Sequence, residues 1–170
     1  MAASGALIPL EEYLRTTTDP DCEFVDGVVE ERAVGELDHA CWQKALMKWF
    51  LQHEREWEVL VYAELRVQVS MHRFRVPDVT LLSRSAPIEQ IVTVPPRAVF
   101  EVLSPEDSMT RILEKLADYE RMGIGAIWVI EPRTRRYFLY AGGQLTPAEV
   151  FELPGGQHRV ALAEIAAMVD

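Results

Sequence analysis

Two acidic residues interrupt apolar runs in the middle of this sequence. Asp78 lies in the run Phe74–Leu82, and Glu101 lies in the run Ala98–Leu103. An ionised carboxylate in such a run costs free energy unless a cation compensates it, and Lys115 follows on a predicted helix. Carboxylates that converge from neighbouring strands provide the oxygen ligands that Mg²⁺ prefers. This pattern predicts a hydrolytic metal site that contains both acids and the lysine.

A divalent ion at such a site would polarise a phosphodiester and lower the pKa of its bound water. The ammonium of Lys115 would orient the attacking water or offset developing negative charge. A structural interpretation stays open beside the catalytic one. A strand acid often pairs with a nearby arginine, and Arg75 and Arg97 are the candidates here. A helical lysine is often solvated, and Glu114 and Asp118 are its near neighbours.

The N-terminal part of the sequence predicts a short helix and a hairpin. Pro9 precedes a helical run that ends near Thr16, since proline is favoured in the first turn of a helix. Asp26-Gly27 separates two β-type runs, and because both residues tolerate positive φ the pair is a strong hairpin signal. Glu23 would therefore lie near the start of the first hairpin strand.

A long amphipathic helix follows the hairpin. Apolar residues at spacings of three and four predict this helix over 38–53, with Asp38 as its N-cap and His39 in its first turn. Its apolar face carries Trp42 and Trp49. We expect this face to pack in the core; if it were exposed, it would be a surface for dimer formation.

Strand patterns replace the helical period after residue 57. The runs 59–62 and 65–69 predict two strands, and Phe74–Leu82 predicts a further strand. Pro77 cannot donate a hydrogen bond to a neighbouring strand, so it should lie at an edge, bulge or bend. A bend there would present Asp78 differently from its neighbours.

The region from 98 to 130 has the order strand, helix, strand. This order is typical of a right-handed βαβ unit with parallel strands, and Gly123 is the expected end of the helix. The apolar run Ala126–Ile130 predicts a central strand covered on both faces. We therefore predict an α/β protein of the α+β type, with a mixed β-sheet flanked by helices. A chain of 170 residues predicts one domain, residues 1–170.

Composition restricts the classes of function. The net charge is −10, from 27 acidic and 17 basic residues, so the chain lacks an overall positive field for gathering nucleic acid. A local patch could still contact phosphate, and the densest basic cluster is Arg133, Arg135 and Arg136. No run approaches the ~20 apolar residues of a membrane span, and the N-terminus does not resemble a signal peptide. We expect a cytoplasmic protein without a membrane partner.

The ordered set of motifs resembles the Uma-two-type family of restriction endonucleases, within the PD-(D/E)XK nuclease superfamily. The resemblance extends over residues 10–140. It implies a restriction-endonuclease-like core and an endonuclease that hydrolyses DNA with Mg²⁺ or Mn²⁺. The matching pieces are Glu23 with Asp26-Gly27, His39, Glu64–Val67, Pro77–Val79, Glu101–Pro105, Glu114–Leu116, Tyr119 and Trp128–Pro132.

The resemblance also implies roles for individual residues. Asp78 and Glu101 would be ligands of the metal, and the backbone carbonyl of Val102 would be a third ligand. Lys115 would be the active-site lysine, displaced onto the helix from its usual place two residues after the glutamate. Glu23 would add a further acid to the catalytic group.

Three more residues are expected in accessory roles: His39, Arg111 and Tyr119. The sequence departs from the family pattern at two positions. Leu103 stands where the lysine usually follows the glutamate, so the plain E-x-K form is absent. Arg111 stands four residues before Lys115, where family members often carry an aspartate. Arg111 would contact phosphate, or it would mark a site that has lost catalysis.

Three hypotheses about function therefore stay open. The first is a Mg²⁺-dependent endonuclease-like hydrolase acting on nucleic acid. The second is a catalytically inactive nuclease-fold protein with a binding or regulatory role, which the negative net charge, Leu103 and Arg111 favour. The third is that the acids form structural ion pairs only. A homodimer is compatible with a nuclease that cuts duplexes.

Overall fold

The computed structural model describes residues 7–17, 21–33 and 35–169 of the chain. These residues form an α+β fold in which helices flank a mixed sheet. None of the described helices is long and apolar enough to cross a membrane. The helices are α1 (Leu10–Arg15), α2 (Leu37–Trp57), α3 (Met109–Met122) and α4 (Leu162–Ala166).

The strands of the described residues belong to three sheets. A six-stranded sheet has the order β10-β9-β8-β7-β6-β3, in which only the β7–β8 pair is parallel. A four-stranded sheet has the order β2-β1-β5-β4, and β11 pairs with β12. The strands are β1 (Glu23–Val25), β2 (Val28–Glu30), β3 (Val59–Ala63), β4 (Val67–Ser70), β5 (Arg73–Arg75), β6 (Val79–Ser83), β7 (Ala98–Val102), β8 (Ile127–Glu131), β9 (Arg136–Ala141), β10 (Gln144–Pro147), β11 (Val150–Glu152) and β12 (Arg159–Ala161).

Helices α2 and α3 belong to two different apolar clusters that share the six-stranded sheet. Along β7, Ala98, Phe100 and Val102 pack in the cluster that contains the buried face of α2. Val99 packs instead with Leu116 of α3. Because successive side chains of a strand point to opposite faces, this alternation directs Glu101 toward α3.

The predicted apolar face of the long helix lies in the core. Trp42 is 1% exposed and Phe50 is 0% exposed, so this face forms no surface for a partner. The helix extends beyond the predicted end at 53, as far as Trp57, which is buried in the same cluster. It ends at Glu58, which adopts a left-handed φ of 52°. The sequence carries no glycine there, which is why the end was not predicted.

Two predicted details of the secondary structure are wrong. Asp38 is not the N-cap of α2: Glu36 occupies that position, and it caps no backbone amide through its side chain. Phe74–Leu82 is not one strand, because its first part belongs to β5 in the four-stranded sheet and its second part to β6 in the six-stranded sheet. Pro77 lies between these two strands, where its missing N–H costs no ladder hydrogen bond.

Candidate active site

The register of two antiparallel strands places the two predicted acids opposite each other. Val79 of β6 pairs with Phe100 of β7, so Asp78, just before β6, stands across from Glu101. The bend at Asp78, directly after Pro77, ends the ladder here. The backbone N–H of Val102 donates to Oδ2 of Asp78 at 2.7 Å, so the side chain of Asp78 satisfies this donor.

Lys115 joins the four-stranded sheet to the six-stranded sheet. Its ammonium nitrogen lies 2.9 Å from Oε2 of Glu101 and 2.7 Å from Oε1 of Glu23. It also donates to the carbonyl oxygen of Val76 at 3.1 Å. An ammonium group has three hydrogens to donate, so each of them has an acceptor. The structure thus brings together Glu23, Glu101 and Lys115, three residues named from the sequence.

Glu101 receives a second hydrogen bond from α3. Tyr119 lies one turn after Lys115, on the same face of the helix, and its hydroxyl donates to Oε1 of Glu101 at 2.6 Å. Burial raises the pKa of Glu101 to about 7, and the neighbouring carboxylates of Asp78 and Glu23 raise it too, although the charge of Lys115 opposes this change. The carboxyl group of Glu101 therefore titrates near neutral pH.

Glu23 behaves differently because it has two cationic partners. Its Oε2 accepts a hydrogen bond from Nη1 of Arg75 at 3.0 Å, and its Oε1 accepts one from the backbone N–H of Val76 at 2.9 Å. Burial acts to raise the pKa of Glu23, but the charges of Lys115 and Arg75 outweigh it and hold that pKa below its ordinary value. Glu23 is therefore ionised at neutral pH.

Asp78 is held by the side chains of Arg32 and His39. Nη2 of Arg32 donates to Oδ1 at 2.8 Å, and Nε2 of His39 lies 3.2 Å from Oδ2. Burial opposes ionisation of Asp78, but the hydrogen bond and charge of His39 outweigh it, so the pKa of Asp78 is lowered. Burial also acts to lower the pKa of His39, and the hydrogen bond and charge of Asp78 outweigh that effect and raise it.

The buried Arg75 binds acidic residues of the four-stranded sheet and of α3 beside the site. Arg75 is 2% exposed, and besides Glu23 it binds Asp118 of α3 through Nε at 2.8 Å and Glu30 of β2 at 3.2 Å. The sequence suggested Arg75 as a partner of Asp78 or Glu101 and Asp118 as a neighbour of the lysine. The structure pairs Arg75 and Asp118 with each other instead, because β5 belongs to the sheet that carries Glu23.

Arg32 and Gln43 are site residues that the sequence did not indicate. Arg32 follows β2 in an irregular segment, and no period or motif marks it. Gln43 lies one turn after His39 on α2, and its Nε2 donates to the backbone carbonyl of Asp78 at 2.9 Å. Its position four residues after His39 was the available signal, because such residues share a helix face.

The two departures from the family pattern have structural explanations. Leu103 packs against the apolar cluster that contains α3, so an apolar side chain suits that position. Arg111 is exposed, and its Nη2 bonds Oε2 of Glu30 at 3.3 Å and the carbonyl of Glu31 at 3.2 Å. Arg111 therefore contacts the hairpin and the segment after it, and it touches neither of the two strand acids.

The carboxylate oxygens of Asp78 and Glu101 are the type of ligand that a hard divalent cation prefers. Two carboxylates suffice for Mg²⁺, which keeps most of its water ligands. Among the described residues no three acids, histidines or cysteines converge as a ready cluster, and both oxygens of Asp78 have protein partners. Both oxygens of Glu101 have protein donors as well. Asp78 and Glu101 would therefore hold Mg²⁺ by displacing or sharing protein partners of both carboxylates, and the Val102 carbonyl stays a prediction as third ligand.

The predicted basic cluster lies at the same end of the six-stranded sheet as the two acids. β7 and β8 run parallel, with Glu101 beside Val129, and the turn after β8 contains Arg133 and Arg135. The exposed Arg133 reaches Glu36 at the start of α2, with 3.4 Å between Nη2 and Oε2. This turn therefore borders the end of the sheet that carries the site.

The fold is similar to that of a solved protein. A crystal structure described as "a putative nuclease belonging to DUF820" from Anabaena variabilis ATCC 29413 superposes with a TM-score of 0.81, at 19% identity, over 96% of this chain and 99% of that chain. This likeness confirms the predicted fold class. A DrdV–DNA complex gives a TM-score of 0.43 at 15% identity, over 76% of this chain and 10% of that chain.

The family can be assigned from the sequence as a whole. No curated protein matches this chain. The family model described as "Uma2: Putative restriction endonuclease" matches residues 10–166, which is most of the sequence. The match confirms the resemblance that the ordered motifs indicated. The chain therefore belongs to the family described as Uma2: Putative restriction endonuclease.

Proposed function

We propose that this chain is a Mg²⁺-dependent endonuclease-like hydrolase that cleaves phosphodiesters of DNA. The observation that carries the proposal is the placement of Lys115 against Glu101, directly across the strand pair from Asp78. An ion pair that served stability alone would not require a second buried acid on the neighbouring strand. Family membership supports the same class of reaction.

The acidic and basic side chains of the site have different roles in this proposal. Asp78 and Glu101 would hold Mg²⁺, which when bound would supply Lewis-acid polarisation of a phosphodiester. The charges of Glu101 and Glu23 raise the pKa of Lys115 above its ordinary value, although burial opposes this effect. Lys115 therefore keeps its proton and supplies a fixed positive charge close to the reacting phosphate, a role that electrostatic catalysis requires. Tyr119 holds the carboxylate of Glu101 in place.

DNA binding would have to be local, because the net charge of the chain is −10. The turn with Arg133 and Arg135 borders the site, and arginine is well suited to bidentate contacts with phosphate. We assign these arginines to the phosphate backbone of the substrate. Contacts of this kind position a duplex without reading its sequence.

The test of this function is cleavage of supercoiled and linear duplex DNA with Mg²⁺ or Mn²⁺. Asp78→Asn and Lys115→Met should each abolish cleavage, because removal of one member of a catalytic group typically costs at least about 100-fold. Glu56→Gln is the matched control, since Glu56 is exposed near the C-terminal end of α2. Equal activity in all four proteins, or no cleavage of any nucleic acid, would contradict the proposal.

A second candidate function is a nuclease-fold protein that binds without cleaving. It is favoured by the completeness of the internal hydrogen bonds: Lys115 uses all three of its hydrogens, and both oxygens of Asp78 are occupied. Calorimetric titration with Mn²⁺ separates the two candidates. Heat release that disappears in Glu101→Ala supports the hydrolase, and absence of heat in both proteins supports the binding protein.

A further inference from the structure

We propose that the guanidinium of Arg32 competes with a divalent cation for the carboxylate of Asp78, so that Arg32 sets the metal affinity of this site. This inference rests on the proposed function, which makes Asp78 a metal ligand. It adds a positioning residue that the sequence motifs do not include. Arg32 would be bonded to Asp78 in the metal-free protein and would withdraw when the cation binds.

The contacts of Asp78 indicate that Arg32 and a divalent cation would compete for its carboxylate and would not bind it together. Nη2 of Arg32 lies 2.8 Å from Oδ1, and the side chains of both residues are largely buried, at 11% and 7% exposure. The other oxygen, Oδ2, already accepts from the backbone of Val102 and lies near His39. Oδ1 is therefore the oxygen that a metal would have to share with Arg32. Two cations at hydrogen-bonding distance from one oxygen repel each other strongly in a buried place.

The position of Arg32 in the chain makes its withdrawal feasible. Arg32 lies two residues after the end of β2, and neither helix nor strand holds its backbone. Nη1 of Arg32 also lies 3.5 Å from Oε1 of Glu64, whose side chain is 50% exposed. Glu64 offers the guanidinium a second acidic partner close to solvent. Arg32 can therefore leave Asp78 without losing every anionic neighbour.

His39 is a poorer candidate for this role. Its Nε2 lies 3.2 Å from Oδ2, the oxygen that also accepts from the backbone of Val102, whereas Arg32 donates to Oδ1. Arginine also keeps its charge at every physiological pH. The permanent competitor is therefore Arg32.

The experiment is a calorimetric titration of Mn²⁺ into metal-free protein, with Arg32→Met as the main variant. Methionine keeps an unbranched apolar stem and removes the guanidinium. If the ion pair exists in about nine of ten metal-free molecules, its removal should tighten the apparent dissociation constant about tenfold. Arg32→Lys, which keeps the charge but loses the planar fork, should lie between the native protein and Arg32→Met. It also serves as the test if Arg32→Met fails to fold.

Arg111→Met is the matched control for charge. It removes one positive charge near the site and leaves the ion pair between Arg32 and Asp78 intact, since Arg111 contacts Glu30 and the carbonyl of Glu31. An exposed charge of this kind should change the affinity by less than about threefold. Equal tightening in Arg32→Met and Arg111→Met would overturn the inference, because loss of any nearby charge would then explain the result.

Further outcomes separate this inference from the proposed function. Unchanged or weaker Mn²⁺ binding in Arg32→Met, together with DNA cleavage by the native protein, overturns competition by Arg32 and leaves the function intact. Tighter binding in Arg32→Met without cleavage by any variant supports the competition and contradicts the hydrolase. Absence of Mn²⁺ binding in every protein overturns both. In the Asp78→Asn background, Arg32→Met should give no tightening.

Discussion

The ammonium nitrogen of Lys115 lies 2.9 Å from Oε2 of Glu101, and the two side chains come from consecutive elements, α3 and β7. The same nitrogen lies 2.7 Å from Glu23, which belongs to the other sheet. One positive charge is therefore shared by two buried carboxylates. Burial raises the pKa of Glu101, and the charge of Lys115 does not offset it. For Glu23 the charges of Lys115 and Arg75 together outweigh burial, so its pKa is lowered.

Replacement of Lys115 by methionine should destabilise the protein. The change leaves Glu101 and Glu23 buried with less positive charge, and breaking a buried pair by removing one partner typically costs about 3–5 kcal/mol. Urea unfolding at pH 7.5 in EDTA measures the loss of unfolding free energy. Lys48→Met, on an exposed position of α2, should change that free energy by less than about 0.5 kcal/mol. Similar losses in the two variants would show that the buried contacts of Lys115 are unimportant.

The pH dependence of stability should reveal Glu101. The pKa of Glu101 in the folded protein is about 7, against an ordinary value of 4.5, so the folded state holds this proton more tightly than the unfolded state. The stability that protonation contributes is complete below about pH 4.5 and is lost as pH rises toward about 7. Relative to Glu101→Gln, the native protein should lose about 3 kcal/mol across this range.

Chemical unfolding of both proteins in EDTA between pH 4 and 8 checks this expectation. Glu56→Gln serves as the control for removal of a carboxylate at an exposed position, and its stability should follow that of the native protein. A difference between native protein and Glu101→Gln that stays constant with pH, or grows in favour of the native protein, would contradict the assigned direction.

Replacement of Tyr119 by phenylalanine should raise the pKa of Glu101 further. The hydroxyl of Tyr119 donates to Oε1 of Glu101, and a hydrogen bond to the ionised form favours ionisation. Loss of this bond should also cost about 1 kcal/mol of unfolding free energy. NMR titration of the Glu101 carboxyl carbon measures the pKa, with Tyr62→Phe on an exposed position as the control. An unchanged or lower pKa in Tyr119→Phe would rule out this role of the hydroxyl.

Replacement of Arg75 by methionine should loosen the contact between the four-stranded sheet and α3. Arg75 links Glu23 of β1 to Asp118 of α3, and its removal leaves both acids with fewer cationic partners. We expect a loss of about 3–5 kcal/mol of unfolding free energy. Arg84→Met, at the opposite end of the six-stranded sheet, is the control. Equal midpoints of thermal unfolding for the two variants would refute a structural role of Arg75.

Much of the fold follows from local sequence. The Asp26-Gly27 hairpin, the strand that carries Glu101 and the end of α3 at Gly123 are present where the sequence predicts them. Each depends on signals within a few residues: φ values of 50° and 94° in the turn, an apolar run, and a glycine at the helix end. Pairings between distant segments leave no such signal, so the division of Phe74–Leu82 between two sheets was not predicted.

In the candidate site, too, residues brought in by contacts between distant segments could not be predicted. Asp78 and Glu101 stand out because acids are rare inside apolar strands, and Lys115 stands out through the ordered motifs. Arg32 carries no such mark, since a single arginine in an irregular segment is ordinary at the surface. Its partner lies 46 residues away in the chain. Only the docking of that segment onto the sheet makes Arg32 part of the site.

The short connection between β5 and β6 has a consequence for how the site assembles. Val76 donates its backbone N–H to Glu23 and accepts from Lys115 through its carbonyl, so one peptide segment joins both partners. The contact with Glu23 needs β1 to lie beside β5, and the contact with Lys115 also needs α3, so both require closure of loops of roughly 40 residues or more. Exchange of the Val76 amide with deuterium should therefore report the docking of Glu23 against the segment between β5 and β6, at one side of the candidate site.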